Sequence, residues 1–133
     1  MIDKEIFKIA SNTENFGLLD NYTHSSVLRN SICGDDFKIY LIIKQGIIKK
    51  IKYNGHSCIY CQASASLLSK TLKNKSTKNI KDFIIVSKSY FDSSKIIKNK
   101  NFHPFKKIFN KKNVARKNCL LLPLKTLEKA LNN

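Results

Sequence analysis

Phe37-Lys38-Ile39-Tyr40-Leu41-Ile42-Ile43, then Gln45-Gly46, then Ile47-Ile48-Lys49-Lys50-Ile51-Lys52-Tyr53 is the stretch on which the fold turns. Both flanks are rich in β-branched and aromatic residues, and the connection between them is short and carries a glycine. That combination predicts an antiparallel hairpin. Asn54-Gly55 ends the second strand. The chemistry then changes. Gln62-Ala63-Ser64-Ala65-Ser66-Leu67-Leu68-Ser69-Lys70-Thr71-Leu72 puts small residues on one face and leucines on another, which predicts a helix over about 60–73. Small residues let such a helix lie close to a sheet.

Outward from this centre, Ile6 and Ile9 have helical spacing and predict a short helix over 3–11. Residues 12–23 read as loop, and a strand is expected over 25–32. Ile80, Phe83 and Ile84 predict a helix over 79–89. The Lys/Asn-rich stretch 92–114, with Phe102, Pro104, Phe105 and Phe109 scattered through it, reads as irregular with one short helix. Leu121, Leu124, Leu127 and Leu131 recur at helical spacing, with Glu128 and Lys129 on the outside, so an amphipathic helix is expected over 119–131. Neither an internal repeat nor a linker interrupts the 133 residues, and a single domain over 1–133 is expected. Helix, then strands, then helices predicts an α+β fold in two layers.

The formal net charge is +16, yet 23 of the 25 basic residues are Lys. Base and phosphate readers depend on the planar fork of Arg, and only Arg29 and Arg116 supply it. Lys, Ile and Asn together also share A/T-rich codons, so the charge reads first as solvated lysines. Attraction to polyanions would follow from such a field, but as a nonspecific, salt-sensitive effect. No apolar run approaches the roughly 20 residues of a membrane span. Met1-Ile2-Asp3-Lys4-Glu5 has no apolar core of a secretory signal, so a cytoplasmic setting is expected, with cysteines held as thiols or metal ligands.

The four cysteines are Cys33, Cys58, Cys61 and Cys119. Cys33-Gly34-Asp35 stands at a tight connection before a strand, where a carboxylate can swing toward the thiol. Cys58 stands at the strand-to-helix junction and Cys119 opens the last helix. A helix N-terminus favours thiolate over thiol. Three thiols at element ends plus Asp35 make a tetrahedral donor set for zinc or iron. Cys58-Ile59-Tyr60-Cys61 is also a C-x-x-C, but no second C-x-x-C accompanies it as a zinc ribbon requires, and a hairpin rather than a βαβ unit precedes it. Cys61 reads as a buried small side chain or as an auxiliary ligand. His56 and Asp36 read as solvent-facing, His24 and His103 as polar-loop residues without an assigned role, and Arg116 either as a positive field near Cys119 or as a surface ion pair.

Asn30-Ser31-Ile32-Cys33-Gly34-Asp35, Gly55-His56-Ser57-Cys58, Gln62-Ala63-Ser64-Ala65-Ser66-Leu67 and Arg116-Lys117-Asn118-Cys119-Leu120-Leu121-Leu122-Pro123, in that order, resemble the iron–sulfur cluster assembly scaffolds of the IscU and NifU N-terminal type. The resemblance runs from about residue 3 to 131. It is nearest the SufU branch, which has an extra segment between the second and third cysteines; Cys58 and Cys119 are 61 positions apart. Asn118 stands where IscU proteins have a His, and Cys61 where the family has a small residue.

The resemblance implies a three-stranded antiparallel sheet with helices packed on one side, and one exposed metal pocket. Its ligands carry over to Cys33, Asp35, Cys58 and Cys119. It implies Zn2+ or a transient [2Fe–2S] cluster there. It also implies persulfide sulfur accepted from a cysteine desulfurase of the SufS kind, on Cys33 by the SufU route or on Cys119 by the IscU route. Downstream iron–sulfur apoproteins or SUF scaffold components would be the recipients. The role is that of a scaffold, or of a sulfurtransferase. Two rivals stand beside it: a basic zinc-stabilised nucleic-acid-binding module, and a purely structural zinc fold without sulfur chemistry.

Overall fold

A computed structural model describes residues 3–30, 34–93 and 100–132. The order is α1 (Lys4–Ala10), β1 (His24–Asn30), β2 (Asp35–Lys44), β3 (Ile47–Asn54), α2 (Ile59–Thr71), α3 (Thr77–Ser93), two 3-10 segments (Lys100–Lys107 and Lys111–Arg116) and α4 (Lys117–Leu131). The strands form one antiparallel sheet in the order β1-β2-β3. This is the α+β arrangement expected, with the hairpin of β2 and β3 at its centre.

Alternation decides which face of the sheet is inside. Phe37, Ile39 and Leu41 of β2 are buried, and Ile39 and Leu41 stand opposite Tyr53 and Ile51 of β3. The pairing slips between Ile42 and Ile43: Ile42 faces Lys50 and Ile43 faces Ile48, which leaves Lys49 as an extra residue. A bulge of this kind shifts the phase of the strand. It lets Ile48 and Ile51 both point inward while the adjacent Lys49 and Lys50 both stay in solvent.

α2 and α4 cover the buried face, with α1 packed on α2 and α3 on α4. The small residues expected to allow close approach do so: Ala63, Ser64, Ala65, Ser66 and Ser69 are all buried, and the Ser64 hydroxyl donates to the Leu120 carbonyl of α4 at 2.7 Å. On the other side of α4, the Ser26 hydroxyl of β1 donates to the Thr126 carbonyl. α4 is therefore central and not merely amphipathic. Leu120, Leu121, Leu122, Leu124, Thr126, Leu127, Ala130 and Leu131 are buried. Glu128 is not simply outside either: it is half-buried and holds the Lys88 ammonium of α3 at 2.9 Å.

Two expectations change. The helix expected over 79–89 is longer, Thr77–Ser93, and its start is capped by the Ser76 hydroxyl, which accepts from the Asn79 N–H at 3.1 Å. Of the stretch expected to be irregular, 92–114, residues 94–99 lie outside the described residues; the rest holds the end of α3, the 3-10 segment Lys100–Lys107 and the start of the segment Lys111–Arg116. Phe105, Ile108 and Phe109 are buried there, and Phe105 lies 5.2 Å, ring centre to ring centre, from Phe83 of α3. Aromatic burial thus orders a segment whose local sequence carries no clear period. Residues 31–32, expected to end the first strand, lie outside the described residues. Among the described residues no helix is long and apolar enough to cross a membrane.

Candidate metal centre

The site is assembled at the corner where β2 begins. Asn30 and Asp35 pair across the ends of β1 and β2, and Gly34 takes the left-handed φ of +73° while its N–H donates to the Asn30 carbonyl at 2.7 Å. Asp35, first residue of β2, is only 5% exposed. The loop after β3 lies directly against this corner: the Asp36 N–H donates to the His56 carbonyl at 2.7 Å. Gly55 makes that approach possible. Its φ is +128°, and a Cβ there would stand 2.0 Å from the Asp36 carbonyl oxygen.

The loop delivers Cys58 as the N-cap of α2, in extended conformation and with no capping bond from its own side chain. Asp35 supplies the cap from the neighbouring strand: its Oδ1 accepts from the Cys58 N–H at 3.1 Å. Cys119 arrives from the far side, buried in the first turn of α4. One carboxylate oxygen of Asp35 and the sulfurs of Cys58 and Cys119 all lie within 4.8 Å of one another. Both cysteines sit at helix starts, where N–H groups and the helix dipole favour the thiolate.

The second Asp35 oxygen, Oδ2, is buried and has no hydrogen-bond partner among the described residues. Leaving a buried acceptor unsatisfied costs about 1–3 kcal/mol, more when it is charged. A cation between it and two thiolates removes that cost, and a two-sulfur, one-oxygen donor set suits zinc or iron. The residues present therefore fit a metal. Cys33, the fourth expected ligand, lies outside the described residues.

Cys61 is not in the group. It is fully buried two residues inside α2, among the core side chains. Burial pushes its thiol well above the ordinary cysteine range, and the charges of Asp35 and Cys58 add to the shift against a hydrogen bond from Ser57. A thiol that resists ionisation is a poor ligand. His56 and His103 are exposed, and the His24 ring pairs with the Thr23 hydroxyl at 2.8 Å. Asp36 is half-buried and serves through its backbone. The Arg116 guanidinium lies over the Tyr60 ring, 5.2 Å from its centre.

Sequence reading left three contributors without a role. Gly55 was legible only as a strand end. The Gln62 amide donates to the Ser57 hydroxyl at 2.6 Å, bracing the loop before Cys58. Phe7 and Phe16, 60% and 43% exposed, line a groove of about 520 Å³ that also runs past Ser57 and Ile59, the two neighbours of Cys58. The Gly-x-x-Cys and Gln-Ala-Ser patterns contain the first two contributors. Nothing local to Phe7 points toward residue 58.

Sheet, covering helices and a carboxylate–thiol corner together define a small α+β protein in which Asp35, Cys58 and Cys119 form, among the described residues, a group that could hold a metal ion. The chain belongs to the NifU-like N terminal domain family, whose pattern it matches over residues 1–89. It is 31% identical to the iron–sulfur cluster assembly scaffold protein IscU of Thermotoga maritima, over 98% of this chain and 92% of that protein. Its fold matches the crystal structure of the SUF-system scaffold FiSufU from Fervidobacterium islandicum with a TM-score of 0.90 and 24% identity, covering 98% of this chain and 96% of that one. The N-terminal NifU-like protein of Brucella abortus matches with a TM-score of 0.85 and 16% identity, over 98% and 91% of the two chains.

Proposed function

We propose that this protein is an iron–sulfur cluster assembly scaffold, one domain over its 133 residues, working in the cytoplasm with Cys33, Asp35, Cys58 and Cys119 as the ligands of its pocket. The observation that carries this reading is the buried Oδ2 of Asp35, without a partner among the described residues, beside two helix-start cysteines. Cys33 stands two positions before Asp35 in the sequence, a backbone span of at most about 7 Å, which supports its inclusion. Family membership and the likeness to IscU support the same role.

A zinc ion in this pocket would hold its thiols ionised at neutral pH. The chain itself supplies the nucleophile and its surroundings. A pocket thiolate attacks the outer sulfur of a persulfide on a cysteine desulfurase of the SufS kind. The sulfur–sulfur bond of the donor breaks, its cysteine leaves as thiolate, and the new persulfide sits on this chain. Cys33 is the acceptor if zinc is resident, and Cys119 if the cluster is built in place. Asp35 is the hard ligand in a soft set, so it is the one to let go when the cluster is passed to an apoprotein or a SUF component. The groove beside Phe7 and Phe16 supports an approach of the desulfurase from that side.

The nucleic-acid reading draws only on net charge, which is spread along the chain, and no observation at the site favours it. Metal analysis of protein purified with and without oxygen exclusion tests the proposal. Stoichiometric zinc, or iron and sulfide in the oxygen-free sample, is expected. Protein that binds neither, and that leaves desulfurase turnover unchanged, overturns it.

A further inference from the structure

Cys61 is a nucleophilic group that the proposed function does not use. Its place is nonetheless particular. Cys58 is the N-cap of α2, with φ −73° and ψ 169°, and Cys61 is the third residue of the helix. N-cap and third-position residues are neighbours across the first turn, the spacing on which a capping box is built. Residues three apart in a helix have Cα atoms inside the window of about 4.4–6.8 Å that a disulfide spans, and their Cβ atoms, about 5–6 Å apart, must draw in to about 3.5–4.5 Å, a shift the first turn of a helix can take up. Access is graded: Cys58 is half-buried, Cys61 fully buried. A small oxidant therefore meets Cys58 first, and Cys61 only through Cys58.

We propose that Cys58 and Cys61 form a redox couple, closed by a small-molecule disulfide, in which disulfide formation withdraws Cys58 from the metal-binding group. The Cys58 thiolate attacks one sulfur of the oxidant, whose sulfur–sulfur bond breaks and whose other half departs as thiolate. Cys61 then attacks the Cys58 sulfur of the mixed disulfide. The Cys58–Cys61 bond forms, the second half of the oxidant leaves as thiolate, and it takes up the Cys61 proton. Two protein thiols are oxidised and one small disulfide is reduced to two thiols. Cys119 is the competing attacker, since its sulfur also lies within 4.8 Å of Cys58. Cys61 has the advantage of belonging to the same helical turn, so the ring closes without moving α4. The consequence for metal rests on the proposed function; the disulfide itself does not.

The metal-free full chain, fully reduced, is exposed to oxidised glutathione, then alkylated, digested and mapped by mass spectrometry. Loss of two of the four thiols, with Cys58 linked to Cys61 and the link reversed by reductant, is the expected result. Cys61→Ala should instead keep a glutathione adduct on Cys58, and Cys61→Ser serves the same purpose should the alanine variant not fold. A link from Cys58 to Cys33 or Cys119, or a lasting adduct on wild-type Cys58, overturns the proposal. Zinc at ten times its Kd should slow closure about tenfold. Closure at the same rate with and without zinc supports the couple and counts against the metal reading instead.

Discussion

The two halves of the pocket are built in different ways. The half holding Asp35 and Cys58 is a backbone construction. Strand pairing, the left-handed Gly34 and the contact of His56 with Asp36 bring the two residues together through hydrogen bonds between main chains. The half holding Cys119 is a packing construction. It is 61 positions further along, and α4 reaches the corner only because its leucines fill the space between the sheet and α2. The first half should therefore fail through single backbone changes, and the second by degrees, as core volume is removed.

Removing a sulfur donor from either half should have the largest effect. Cys58→Ser and Cys119→Ser should each abolish stoichiometric zinc retention and most desulfurase stimulation, because serine is a poor zinc ligand and a poor nucleophile at neutral pH. Cys61→Ser should keep most of both. Metal content and alanine release by the desulfurase check this, and equal loss in Cys61→Ser would make Cys61 a working ligand.

Core truncation should come next. Leu124→Ala, at a fully buried position of α4, should cost about 2–5 kcal/mol in urea unfolding. It should also weaken metal retention by loosening Cys119. Gly55→Ala attacks the other half: its backbone strain costs about 1–3 kcal/mol, before the clash with Asp36 is counted. Metal loss out of proportion to lost stability is expected there, and the reverse would show that the corner is not the rigid half.

Smaller effects sharpen the picture. Asp35→Ala should slow cluster loss during aerobic handling, followed by visible absorbance, because the dissociable ligand is gone; equal loss rates would remove Asp35 from that role. Remote from the pocket, the Lys112 ammonium beside Asp3 holds that carboxyl below its usual range, with the Glu5 N–H as a second cause. Asp3 therefore contributes stability above the unfolded carboxylate pKa, and the contribution is lost as pH falls through the lower folded value. Asp3→Asn should flatten acid unfolding slightly in that window and leave neutral pH metal content unchanged.

How much was legible follows the same division. The hairpin, the two helix starts and the cysteines that mark them were readable, because turn chemistry and periodicity act over a few residues. The 3-10 segments around Phe105 and Phe109 were not, because their order comes from rings on α3 and not from their own sequence. Glu128 looked exposed by position, but Lys88 of another helix draws it into an ion pair.

By itself, the sequence of this protein determined the donor types, their order along the chain and the elements that start or end beside them. Those depend on short-range rules: a glycine where φ must be positive, small residues where a helix must come close, thiols at helix N-termini. Only the tertiary structure decided that Cys119 meets Asp35 and Cys58, that Cys61 lies in the core, and that one oxygen of Asp35 has no partner among the described residues. The reason is that distances between residues far apart in sequence come from how side-chain volumes fill the space between sheet and helices, and no local pattern carries that information.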